Sequence, residues 1–139
     1  MADCKFYRVA RPPLNWPQGP CVHWGLAVED ALSGVIRVWH NTPEHGEHWS
    51  SLADFAAGLP LTFEAVTIDP LVVFRLQHAS SKPRPYDLLM RNCQHTVTET
   101  MHGQPVSPTL RTVALVCGAA LIVGLAIKHR SQLAAIRVV

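Results

Sequence analysis

Charge is scarce in this sequence and neither sign dominates: charged residues make up 16% of the chain and sum to +2 with histidine neutral. Nucleic-acid binding needs a basic stripe, so no nucleic-acid partner is expected. The cysteines Cys4, Cys21, Cys93 and Cys117 form no Cys-x-x-Cys pair and no close disulfide spacing. That excludes a paired-thiol redox or zinc motif and makes a reducing compartment the simpler reading. There is no His-Glu-x-x-His helix motif either. His40, His45 and His48 lie close in sequence, but a loop mixing histidine with glutamate is more often solvated than metal-bound, so no metal and no cofactor is expected. The first residues, Met1-Ala2-Asp3-Cys4-Lys5, are polar and prolines follow with no apolar core between, so no signal peptide is expected there. With 139 residues, the chain has length for one modest domain core.

What the chain does have is a single long apolar run near its end. Val113 to Ile127 carries no charge and is bounded by Arg111 on one side and Lys128-His129-Arg130 on the other. This is short of the roughly 20 residues that cross a bilayer, unless Leu110 and a snorkelling Arg111 are included. The run is apolar around the whole helical circumference, so lipid or complete burial must surround it. A membrane anchor is expected, with a buried core helix as the alternative. Ala114, Gly118, Ala120 and Gly124 set small residues four or six apart, spacing that permits close helix approach and self-association. Basic residues flank both ends, so charge does not orient the span; the cysteine pattern places the remainder of the chain in the cytosol.

Five segments are expected: a proline-rich leader over 1–21, a catalytic domain over 22–103, a linker over 104–110, the apolar helix over 111–130 and a tail over 131–139. Pro12, Pro13, Pro17 and Pro20 remove amide donors and restrict their neighbours, so the leader reads as extended. His23 to Val28 and Val35 to His40 read as two strands of a hairpin, and Asn41 to His48 as a polar loop. Ser51 to Gly58 has a cap, a short apolar stripe and a glycine stop, the marks of a short helix. Leu61 to Ile68 alternates as a strand with Phe63, Ala65 and Thr67 on one face, whereas Leu71 to Ala79 is ambiguous between helix and strand. A helix then runs from Cys93 to a stop near Gly103. The fold class is α+β with an antiparallel sheet and a C-terminal hydrophobic helix.

The chemistry turns on Cys93. An ordinary thiol, with pKa about 8.5, is only a few per cent thiolate at neutral pH, so a nucleophilic cysteine needs a histidine, a helix N-terminus, or both. Cys93 opens its helix and would face unpaired amides there. His23 is the expected general base and His40 the residue that orients it, both from the same hairpin. His45 or His48 could take the place of His40. His95, two residues into the helix, is assigned a structural role.

His23-Trp24-Gly25-Leu26, a second strand closing in His40, and Tyr86-Asp87-Leu88-Leu89 leading into Asn92-Cys93-Gln94-His95 together resemble the lecithin:retinol acyltransferase family, which includes the HRAS-like suppressor phospholipase/acyltransferases. The similarity covers about residues 22–102. It implies a circularly permuted papain-like (NlpC-type) domain, with Cys93 carrying the acyl group, His23 as base and His40 as orienting residue; a membrane helix after the domain is also seen in that family. The sequence departs from the family where Gln94 replaces a common glutamate, Thr96 a common aromatic and Cys21 a common tyrosine.

The expected function is therefore a cysteine-dependent acyltransferase or hydrolase acting on lipid acyl esters through a thioester, with a glycerophospholipid as donor. A papain-like peptidase or amidase would use the same three residues. A membrane-anchored interaction module without catalysis is the third reading. A lipid enzyme would carry an apolar groove beside Cys93 that opens toward the tail, and a peptidase an open, more polar cleft with backbone donors for an extended chain.

Overall fold

The computed structural model describes residues 4–14, 21–66 and 69–136, with side chains through Lys128. Met1–Asp3, the centre of the proline-rich stretch at 15–20, and Thr67 with its expected facing lie outside the described residues. The chain divides into two compact units, Met1–Ser107 and Pro108–Val139.

The first unit is built on a five-stranded antiparallel sheet: β1 (Cys4–Arg11), β2 (His23–Asp30), β3 (Ile36–Thr42), β4 (Gly46–Ser51) and β5 (Thr62–Ala65), in the order β4-β3-β2-β1-β5. Its helices are α1 (Leu52–Ala56), α2 (Val72–Ser81) and α3 (Cys93–His102). Successive strand residues point to opposite faces, and the sheet uses both. Phe6, Leu26 and Trp39 pack with Val72 and Leu76 of α2 and Val97 and Met101 of α3. Their neighbours Val9, Ala27 and Val38 pack with Phe55 of α1 on the other face.

Two expectations are corrected. The leader does not stand apart from the domain: Cys4–Arg11 is an interior strand, paired with β2 along its length and with β5 on its other side. The prolines begin only at Pro12, and the residues before it, with Phe6, Tyr7 and Val9, suit a pleated surface. The loop expected over Asn41–His48 is instead a tight hairpin in which His48 lies opposite His40 and Trp49 opposite Trp39. Its polar residues are used internally. Glu47 has a fully buried side chain that accepts from Arg84 Nε at 2.9 Å and from Thr96 Oγ1 at 2.9 Å. Asn41 donates to Arg91 O and to Thr96 Oγ1. Gly46 makes the turn with φ +67°, and a Cβ there would lie 2.6 Å from Arg84 O. Sequence polarity suggested solvent; the polar partners arrive from about 40 to 50 residues away in the chain.

The short helix forms where expected, capped by Ser51 accepting from Asp54 N, and it ends through Ala57 and Gly58 in left-handed conformations. The ambiguous segment resolves as α2, which presents Val72, Leu76 and Ala79 inward at three- and four-residue spacing. Helix α3 begins at Cys93, capped by Asn92, and stops at Gly103 with φ +74°.

The second unit is α4 (Pro108–Ile136), longer at both ends than the expected 111–130, so part of the expected linker and tail is helical. Proline at the first helical position sacrifices only an amide that has no partner in the helix. Pro108–Lys128 spans 21 residues with mean hydropathy 2.2. At about 1.5 Å per residue that length matches a hydrocarbon core of roughly 30 Å. This helix is long and apolar enough to cross a membrane.

Candidate active site

The three expected residues come from three elements. His23 opens β2, His40 sits near the end of β3, and Cys93 is the first residue of α3. The register sets Gly25 opposite His40, so the His23 ring reaches His40 diagonally across the pair. His23 Nε2 and His40 Nδ1 are 2.9 Å apart, sharing one hydrogen. That bond occupies Nε2 of His23 and leaves its Nδ1 as the nitrogen able to take a proton from a thiol.

The pair is dry. Phe55 of α1 lies against the face of the His23 ring, with centroids 5.3 Å apart, and meets His40 edge-on at 5.1 Å. Gly25 makes this possible, since a Cβ there would fall 2.4 Å from Val38 Cγ1 and 2.9 Å from Phe55 Cε2. Burial pushes the His23 imidazole down to about 3, and the Arg11 and His48 charges act in the same direction. His40 is likewise pushed to about 3, first by burial and then by His23, His48, Arg11 and His45. Both rings are therefore neutral at physiological pH. His40 Nε2 is buried without a partner. His48, 4.2 Å from His40 between ring centroids, donates from Nδ1 to Gly46 O.

Cys93 is half-buried, and here the structure reverses an expectation. Burial raises the thiol pKa, while backbone amides of Trp24, Gln94 and Cys93 and the Arg11 charge oppose the rise without overcoming it. The helix N-terminus is present, but desolvation outweighs it. Cys93 thus rests as a thiol, and the His23–His40 pair rests neutral. The same amides lie where charge on the sulfur, or on a carbonyl oxygen attached to it, would be stabilised.

Arg11 was missed in the sequence and is part of this site. It pairs with His23 across the β1–β2 ladder, is only 7% exposed, and acts electrostatically on both His23 and Cys93. Its Nη1 donates to Pro12 O, its guanidinium lies 5.5 Å from the centroid of Phe55, and its Nε has no partner. The available signal was alternation: Val9 and Arg11 share a face of a strand whose Val9 is core, and Pro12 ends that strand. Tyr86 is a second omission. Burial and then the Cys93 charge raise its phenol pKa.

Two of the three positions that depart from the pattern of the resembling family have buried partners. Gln94 Oε1 accepts from Ser107 Oγ at 2.6 Å, and Thr96 Oγ1 links Glu47 to Asn41. Cys21, where the family commonly has tyrosine, is exposed. His95 completes a capping box, its Nδ1 accepting from the Asn92 amide while Asn92 Oδ1 accepts from the His95 amide. Behind α3, Arg84 bridges Glu47 and Glu99, and Arg91 joins Glu99 at 3.0 Å. This network fixes the loop before Cys93 to β4 and to the body of the helix.

Among the described residues no group of three or more histidine, cysteine or carboxylate side chains is arranged to hold a metal ion. A cavity of about 410 Å³ between α2 and the C-terminal half of α3 is lined by Phe74, His78, Lys82 and Glu99 among others, and by none of Cys93, His23 or His40. Leu88, Leu89 and Met90, three to five residues before Cys93 in the chain, are exposed apolar side chains. No family model, curated protein or solved structure matches this chain.

Proposed function

We propose that the chain is a membrane-anchored thiol acyltransferase or hydrolase of permuted papain-like type, acting on lipid acyl esters. The observation that carries this reading is the His23–His40 pair, bonded at 2.9 Å between His23 Nε2 and His40 Nδ1, which with the hydrogen on Nε2 leaves His23 Nδ1 to take a proton. The second support is Cys93 at a capped helix start with the Trp24 amide on its sulfur.

In the proposed reaction Cys93 Sγ attacks an ester carbonyl as His23 Nδ1 takes the thiol proton. The transient imidazolium donates its Nε2 hydrogen to His40 Nδ1, which stabilises it. The tetrahedral oxyanion is held by the Cys93 and Trp24 amides. His23 returns the proton to the departing lysolipid oxygen, leaving a Cys93 thioester. Water or an amine then attacks the thioester, with His23 again as base. Arg11 favours charge on the sulfur and opposes it on His23, so it keeps the imidazolium short-lived.

A lipid substrate is favoured over a peptide by α4, whose apolar length would hold the first unit at a membrane, with that unit on the cytosolic side and self-association available through the small residues of the helix. The test is intact mass spectrometry of the chain incubated with phosphatidylcholine vesicles, beside Cys93→Ala. An acyl-sized gain lost in the variant supports the proposal. No acyl gain, with amide hydrolysis dependent on Cys93, moves the chemistry to peptides. A Cys93 inert toward both leaves the interaction module.

A further inference from the structure

We propose that Leu88-Leu89-Met90 is an interfacial tip that seats the first unit on a phospholipid bilayer with Cys93 at the lipid surface; the inference rests on the membrane anchoring proposed above. Leu88, Leu89 and Met90 are 63%, 65% and 74% exposed, three consecutive large apolar side chains immediately before Arg91 and the helix cap. Consecutive exposed apolar residues are costly in water and need a covering surface.

The tip is built to leave water. Asp87 and Arg91 close it through two backbone bonds, Asp87 N to Arg91 O at 3.1 Å and Arg91 N to Asp87 O at 2.8 Å. The amides of Leu89 and Met90 both donate to Asp87 Oδ1. Leu88 O accepts from Asn92 Nδ2. An apolar loop entering the headgroup region is penalised for each unsatisfied backbone group, and the Leu89 and Met90 amides and the Leu88 carbonyl already have partners.

The occupant is indicated by where the chain leaves the unit. Asn92 Nδ2, which holds Leu88 O, also donates to Ser107 Oγ, and Ser107 Oγ donates to Gln94 Oε1. Ser107 is the last residue before Pro108 and the apolar helix. One asparagine, adjacent to Cys93, therefore fastens both the apolar tip and the exit to the membrane-length segment. A helix anchored in lipid brings its own first residue to the bilayer surface, and with it the end of the unit that carries the tip. The β2–β3 turn, where Leu32 is 86% exposed, is at the far end of β2 from His23, roughly 25 Å away at about 3.3 Å per residue.

The test uses the full chain as Cys93→Ala, so that acyl chemistry does not enter, in phosphatidylcholine vesicles carrying a diazirine on the acyl chain. After irradiation, lipid adducts are mapped by peptide mass spectrometry. The expected result is labelling within α4 and at Leu88–Met90, with the tip labelled at least tenfold over the Leu32 turn, and with tip labelling lost in Leu89→Asp/Met90→Asp. Labelling of α4 with none at the tip overturns the inference while the anchoring stands. Equal labelling at the tip and the Leu32 turn overturns it as well. An unlabelled tip in a chain that cross-links as a dimer assigns the patch to a second copy. No labelling anywhere removes the anchoring and the inference together.

Discussion

Acid should destabilise the first unit well before its carboxylates titrate, because the buried His40 and the half-buried His23 are both held as neutral rings. Each has a native value of about 3 against an ordinary value of 6.5. Unfolding lets both rings bind protons that the native state refuses, so their contribution is fully present above about pH 6.5 and is lost as pH falls toward 3. At pH 5 the linkage relation gives about 2 kcal/mol per ring, or about 4 kcal/mol for the pair. Any native value below about 4 gives the same figure, since the native rings are then unprotonated at pH 5. Burial also lowers His95 and adds in the same direction. The lowered carboxyls of Asp30, Asp69 and Glu99 lose their share mainly below about pH 5. Against a typical stability of about 5–15 kcal/mol, 4 kcal/mol is a large loss. The assay is urea unfolding of residues 1–107, which hold every strand and both core clusters, at about pH 7.5 and about pH 5, beside His23→Asn/His40→Asn. The double variant sets a different baseline, and its pH dependence over this window should shrink to the smaller part that His95 contributes. A wild-type loss under about 1 kcal/mol would refute the reasoning: the rings would be protonated in the native state, and the resting site would be an ion pair.

Four further outcomes follow from the same geometry. Alkylation of Cys93 by iodoacetamide should rise along a single limb with midpoint above an ordinary thiol's value of about 8.5, because burial raises it; a rate plateau from about pH 5 to 8 would show a stable thiolate instead. His23→Ala should abolish acylation and His40→Asn should leave a remnant, while His45→Ala should retain most activity; equal loss in a folded His45→Ala chain would move the orienting role to His45. Gly25→Ala would press its new Cβ on Val38 and Phe55, at a cost of about 1–3 kcal/mol, and should lower the melting temperature and acylation together; unchanged values would mean that Phe55 does not hold the histidine pair. Glu47→Ala strips a fully buried carboxylate from Arg84 and Thr96 and should cost about 3 kcal/mol, the low end for breaking a buried pair because Arg84 keeps Glu99; a urea-measured loss under about 1 kcal/mol would count against the network.

The elements that the sequence made legible are those whose signals are local. Pro108–Lys128 is apolar on every face, so its being long and apolar enough to cross a membrane follows from composition. The β2–β3 hairpin follows from alternating residues around a polar turn, and it carries His23 and His40 to within hydrogen-bond distance. Asn92 before Cys93 and Gly103 after His102 mark both ends of α3 in the sequence. Capping and alternation act over a few residues, and a short window contains their whole cause.

What tertiary structure alone decided is where polar groups are buried. Asn41 and Glu47 looked like loop residues until Thr96 and Arg84 arrived from distant parts of the chain to satisfy them. Arg11 looked like part of a leader until β1 was placed inside the sheet opposite His23. The thiol's protonation followed the same rule: the helix start predicted a lowered pKa, and desolvation by the packed site reversed it. Asn92 joins the apolar tip to the exit at Ser107 through contacts four and fifteen residues along the chain. Burial depends on every element packed around a group, and no window of sequence holds that sum.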